Sequence, residues 1–181
     1  HTLTADQLAS AHVLVVVPET AKDADDGGKT LKEAGKAAFE LLAPAAKPQV
    51  VSPLSTLVSE RMISNRQSVA DAESSVVGTL KLDNATPLLG ASADFVAANK
   101  ADLKQLAQTT AVLLGEVKKV VTNTVSGNAG IVKPAEQQRI EVDAVREMMR
   151  KIVEGNQLAQ LGTGQKIDPK KVQDLLGSIL A

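Results

Sequence analysis

The sequence predicts an all-α protein, a bundle of about six or seven helices with one short β-strand near the N-terminus. Alanine, leucine and valine supply most of an apolar fraction of 44%, which favours closely packed helices. Apolar residues recur at helical spacing in several long segments, which is typical of amphipathic helices. Only one short segment has the β-branched, uninterrupted apolar character of a strand.

The chain begins with an amphipathic lead-in over residues 1–11, followed by the predicted strand His12–Val17, which Pro18 closes. A single strand does not form a sheet by itself and needs a pairing partner. Gly130–Lys133 is the internal candidate, and the alternatives are a segment missing from the chain or a neighbouring chain.

Capping signals mark the first helices. A polar turn leads into a helix predicted over Lys29–Ala43. Ser52 and Pro53 read as an N-cap with proline at the first helical position. Ser68 reads as the cap of the next helix, with Asp71 three residues on in a box-like arrangement.

The remaining helices are predicted from apolar periodicity. They are a short helix over Ser92–Asn99, two long helices over Asp102–Val121 and Pro134–Glu154, and a last helix beginning at Asp168-Pro169. The polar stretch Thr122–Gly130 is interpreted as a hinge. We therefore divide the chain into a strand and turn segment (1–27), a main helical bundle (28–126) and a C-terminal helical pair (131–181), which docks on the bundle or on a partner.

Composition excludes several classes of function. The chain has no Cys, which excludes disulfides and thiolate metal sites. It has no Trp or Tyr and a net charge of -1, which argues against nucleic-acid binding. No apolar run reaches the roughly 18 to 20 residues that span a bilayer, so we expect no transmembrane segment.

Two candidate metal sites lie near the N-terminus. Asp23, Asp25 and Asp26 before two glycines resemble half of a calcium loop, because clustered carboxylates supply hard oxygen ligands. The alternative is a solvated turn that precedes a helix. His1 offers an amine and an imidazole that, with His12, would suit copper; the alternative is that His1 is merely where a fragment begins and His12 lies at the start of the strand.

A candidate partner-binding surface is the predicted strand itself. Val13, Val15 and Val17 are its candidate contact row. A partner that adds a strand here would gain main-chain hydrogen bonds at an open edge. We therefore predict that this row contacts a protein partner or a second copy of the chain.

The segment Val50–Val58 reads Val-Val-Ser-Pro-Leu-Ser-Thr-Leu-Val, and it is followed by Val69–Ser74, Leu80–Leu82, Asp94–Ala98 and Leu103–Ala111. Over roughly residues 50–116, these motifs resemble a helical module of large secreted or surface-anchored bacterial proteins and lipoproteins. The sequence departs from that pattern at Ser55, where Thr is commoner, and at Lys81, where Gly is commoner.

The resemblance implies an extracytoplasmic location and a structural or binding role, and it brings no catalytic residue with it. In such proteins the module often follows a small β-sandwich or a calcium-rich region. The predicted strand and the aspartate-rich turn would then be the tail of that region, and His1 a fragment boundary or a processing site.

We therefore expect a non-enzymatic, extracytoplasmic module for surface architecture, adhesion or subunit assembly, without a bound cofactor. The alternative is a small metal- or ligand-binding protein that uses the histidines for copper or the aspartates for calcium. An enzyme working through carboxylates ranks last, because no acid pair is visible and only two His are present.

Overall fold

The computed structural model describes residues 4–22, 27–33, 38–96, 98–126, 134–155 and 169–180. Within these ranges the chain forms helices and a two-stranded antiparallel sheet, so its class is mixed α/β. The elements are, in chain order, α1 (Ala5–Ser10), β1 (His12–Val17), β2 (Phe39–Pro44), α2 (Pro53–Asn65), α3 (Val69–Thr79), a short 3-10 turn (Ala91–Ala93), α4 (Ala101–Ser126), α5 (Pro134–Glu154) and α6 (Pro169–Leu180).

The all-α prediction is wrong, because the strand at His12–Val17 pairs with a second strand of the same chain. That second strand, β2, lies inside the segment Lys29–Ala43 that was predicted to be a helix. Helix propensity is a weak preference, and pairing with a distant segment overrides it here. The predicted pairing partner, Gly130–Lys133, lies outside the described residues.

The stretch between the two strands folds back on itself. Lys22 and Thr30 form an isolated antiparallel bridge, and Gly27 and Gly28 between them have φ angles of 67° and 77°. Glycine tolerates such positive φ values without the steric penalty of a side chain. The Thr30 N–H and hydroxyl both donate to the Glu33 carboxylate, and these bonds hold the pKa of Glu33 below its ordinary value.

Helices α2 and α3 begin where the sequence predicts. The Ser52 hydroxyl accepts from the Ser55 N–H, the Ser55 hydroxyl accepts in return from the Ser52 N–H, and proline follows the cap. The Ser68 hydroxyl accepts from the Asp71 N–H. The two helices pack together, and these caps satisfy N–H groups that have no partner inside a helix.

The predicted short helix over Ser92–Asn99 is wrong. A 3-10 turn occupies Ala91–Ala93, the described residues between Asp94 and Lys100 belong to no helix, and Asn99 has a φ of 50°. Left-handed residues of this kind do not continue a right-handed helix. The long helices are confirmed: α4 extends a few residues beyond its predicted end, α5 keeps its predicted bounds, and α6 begins at Pro169.

The chain divides into two compact units. The first comprises His1–Val15 and Glu40–Thr110. Its buried core is made of aliphatic side chains of β2, α2, α3 and the segments after them, namely Ala43, Leu54, Leu57, Val58, Met62, Ala72, Val76, Val77, Leu88, Leu89, Ala93, Leu103 and Ala107.

A single carboxylate joins α3 to the segment that follows it in the first unit. One oxygen of Glu73 accepts from the N–H groups of Leu88 and Leu89, at 2.9 and 3.1 Å. The other oxygen pairs with the Lys47 ammonium at 3.1 Å. The Glu73 side chain is only 17% exposed, so it bonds these groups largely away from water.

The second unit comprises Val16–Phe39 and Ala111–Ala181. Its buried residues are Leu31, Leu113, Leu114, Val117, Val121, Met148, Met149, Ile152 and Val153. Helix α5 contacts α6, and its exposed face carries ion pairs. Arg150 donates to Glu147 through two nitrogens, at 2.6 and 2.9 Å, and this pairing lowers the pKa of Glu147.

Candidate functional site

The register of the sheet follows from the strand lengths and from one flanking bond. The Ala45 N–H donates to the Ala11 carbonyl at 2.9 Å and continues the antiparallel ladder. Counting inwards places Leu14 opposite Leu42 and β1's first residue opposite Pro44. Residues of an antiparallel pair direct their backbone groups alternately towards the partner and away from it. In this register the backbone groups of Leu14, Leu42 and Pro44 all point away from the partner strand. This position suits Pro44, because proline has no N–H to donate to the ladder.

The outer edge of β2 is covered by hydroxyl groups of α2. The Leu42 N–H donates to the Thr56 hydroxyl at 2.9 Å, and the Ser55 hydroxyl donates to the Leu42 carbonyl at 2.7 Å. Both hydroxyl-bearing side chains are buried. These two bonds satisfy the outward backbone groups at the centre of β2, so this edge is closed to a further strand.

The hydroxyls of α2 lie on one helical face, and their role in covering β2 was not predicted from the sequence. Ser52, Ser55, Thr56 and Ser59 recur at intervals of three and four residues, and all four are buried. The Thr56 hydroxyl also donates to the Ser52 carbonyl within the helix at 2.9 Å, which leaves its lone pairs for the strand. The available signal in the sequence was the recurrence of hydroxyl residues at helical spacing among apolar residues, which is compatible with a backbone edge packed against this face.

The outer edge of β1 is open within the described part of the chain, where the sheet contains two strands and no third one. Leu14, Val15 and Val16 are 54%, 38% and 58% exposed. Natural edge strands are commonly protected by charges, prolines or bulges, and His12–Val17 contains no charged side chain and no proline. The edge therefore presents both backbone hydrogen-bonding groups and apolar side chains.

The three predicted partner-binding residues of this strand differ in their exposure to solvent. Val15 is exposed, whereas Val13 and Val17 are half-buried. Leu14 and Val16, on the opposite face of β1, are the more exposed side chains. A strand that is apolar at every position after His12 does not reveal which of its faces lies against the rest of the protein.

The predicted metal ligands are mostly outside the described residues. This applies to His1, Asp23, Asp25 and Asp26, while His12 is half-buried at the start of β1. The described ranges contain no group of three His, Asp or Glu side chains that could hold a metal ion. The calcium and copper sites therefore stay predictions.

Comparisons with protein-family models, with curated proteins and with solved structures found no match to this chain. None of the helices in the described ranges has the combination of length and apolar character that is needed to cross a bilayer. A function for this protein is therefore inferred from the chain's own residues, and above all from the contrast between the two edges of the sheet.

The hydroxyl cover of β2 can be tested with Thr56→Val, which keeps the shape of the side chain and removes the acceptor of the Leu42 N–H. We expect the free energy of unfolding to fall by about 1–2 kcal/mol, because a half-buried donor loses its partner. Hydrogen exchange should also become faster at the Leu42 amide. The exposed substitution Thr20→Val is the control and should change neither quantity. An unchanged exchange rate at Leu42 would contradict the assigned bond.

Proposed function

We propose that this protein is a non-enzymatic interaction module that accepts a β-strand from a protein partner along the outer edge of β1. One observation carries the proposal: the outer edge of β2 is closed by α2, whereas the outer edge of β1 is open and apolar. Strand addition uses main-chain hydrogen bonds for affinity and side-chain contacts for specificity.

The edge defines the chemistry of the strand that it accepts. Leu14 directs its N–H and C=O outwards, and an antiparallel strand would bond both groups. The exposed parts of Leu14, Val15 and Val16 would be buried at the same time, each contributing on the order of 1 kcal/mol. The partner segment is therefore extended, uncharged and rich in aliphatic or β-branched residues.

We place this module outside the cytoplasm of a bacterium, in surface architecture, adhesion or subunit assembly. The resemblance of residues 50–116 to modules of secreted and surface proteins supports this location. The absence of Cys is compatible with it. Antibodies against the chain, applied to fractionated cells of the source bacterium, test the proposal; detection in the cytoplasmic fraction alone would contradict it.

Strand acceptance can be measured with a synthetic peptide of alternating Val and Thr that carries a Lys at each end. Added to the full chain at a dilution at which the chain is monomeric, this peptide should slow hydrogen exchange at the Leu14 amide. Leu14→Lys should abolish the effect, because addition of a strand would desolvate the new charge. Val96→Lys makes a similar change at a side chain that is 61% exposed outside the sheet, and it should leave the effect intact. Equal exchange with and without peptide would overturn the proposal.

A further inference from the structure

We infer that the strand received by β1 is β1 of a second copy of this chain, so that two molecules share one four-stranded antiparallel sheet around a two-fold axis. This inference rests on the proposed function and names the partner in it. The assembly is isologous, because the same edge of each molecule contacts its counterpart.

Among the described residues, a second folded molecule has one suitable edge to offer. A strand that pairs with β1 needs a free edge of its own. The outward backbone groups at the centre of β2 are bonded to Ser55 and Thr56 of α2, so β2 does not provide one. The other strand is β1, whose outer edge is open.

Strand β1 is also complementary to itself. With the two-fold axis at Leu14, this residue pairs with Leu14 of the other copy, and Val13 lies opposite Val15. No charged side chain occurs between His12 and Val17, so the pairing brings no like charges together. The outward direction of the Leu14 backbone groups makes the central pair a hydrogen-bonded one.

The small size of the sheet also favours this pairing. A two-stranded sheet is marginal by itself, and three or more strands with an apolar face are the usual stable arrangement. Pairing through β1 converts two such sheets into one of four strands whose new outer edges are both covered by α2. The pairing therefore leaves the centres of both outer strands closed to a further strand, so it ends at the dimer instead of continuing into a fibre.

A single introduced cysteine tests the pairing, because the native chain has none. In the inferred dimer the two Leu14 Cα atoms lie about 5.5 Å apart, as in any hydrogen-bonded antiparallel pair. This separation is within the range that a disulfide bridges. Under mild oxidation Leu14→Cys should form covalent dimers at least tenfold faster than the control Val96→Cys, whose site is as exposed but lies outside the sheet.

Light scattering on the unmodified chain provides the second measurement. We expect a dimer that dissociates on dilution, and we expect Leu14→Lys to be monomeric while Val96→Lys remains dimeric. A monomer at every concentration, together with equal oxidation rates for the two cysteine variants, would overturn the inference. The Val–Thr peptide then separates the two ideas: slowed exchange at Leu14 in a monomeric chain refutes self-pairing alone, and unchanged exchange refutes strand acceptance as well.

Discussion

Replacing Leu54 by Ala is expected to lower the free energy of unfolding by about 2–5 kcal/mol, the usual cost of truncating a fully buried leucine. Leu54 lies in the first turn of α2 and is only 1% exposed. The substitution removes its apolar contacts and leaves a cavity that close-packed neighbours fill only in part. Urea denaturation followed by circular dichroism measures the loss.

The same helix supplies a matched control. Ile63 lies near the end of α2 and is 37% exposed, so Ile63→Ala should cost about 1 kcal/mol or less. The two substitutions affect the same helix and differ mainly in burial. Similar losses for both variants would contradict the described core of the first unit.

The Leu54 substitution also bears on the sheet, because α2 carries the hydroxyls that hold β2. If α2 loosens, the bonds from Ser55 and Thr56 to Leu42 should weaken with it. We therefore expect faster hydrogen exchange at Leu42 in Leu54→Ala, with a smaller change in Ile63→Ala. Faster exchange at Leu42 would show that the core of the first unit supports the closed outer edge of β2, on which the proposed strand acceptance depends.

Local signals in the sequence were sufficient to predict the position of most helices. Ser52 and Ser68 were recognised as caps because a short hydroxyl before a helical pattern bonds the exposed N–H groups of the first turn. Helix α5 was recognised because its apolar positions keep a helical period over many residues. Strand β1 was recognised because five consecutive aliphatic residues precede a proline.

The second strand was not predictable from local signals. Phe39-Glu40-Leu41-Leu42 contains good helix-forming residues and lacks the alternation of a half-exposed strand. Its extended conformation is determined by β1 on one side and by the α2 hydroxyls on the other. Both partners are distant in sequence, so no window around β2 contains the information.

The strand that carries the candidate site was predicted from the sequence, but the exposure of its individual residues was not. The sequence indicated a strand that needs a partner, and it selected Val13, Val15 and Val17 as the contact row. The structure gives that strand an internal partner and exposes Leu14 and Val16 most strongly. Which edge of the sheet is open depends on what packs against the other strand. A uniform apolar run in β1 contains no information about that packing.

Replacing Glu73 by Ala is the second substitution for which we expect a large effect, a loss of about 2–6 kcal/mol in the free energy of unfolding. Its carboxylate accepts from the N–H groups of Leu88 and Leu89, and both of these residues are buried. Each buried donor left without a partner costs about 1–3 kcal/mol. The loss should be visible in urea denaturation and in faster exchange at the Leu88 and Leu89 amides.

Two further variants separate the contributions of the two carboxylate oxygens. Glu73→Gln keeps an acceptor for the two N–H groups, so it should retain most of the stability that Glu73→Ala loses. Lys47→Ala removes only the ion pair, and because the Lys47 side chain is 46% exposed it should cost about 1 kcal/mol or less. If Lys47→Ala were as damaging as Glu73→Ala, the ion pair would dominate and the bonds to Leu88 and Leu89 would not hold this segment on α3. A loss confined to Glu73→Ala would instead show that one buried acceptor fixes the path of the chain after that helix.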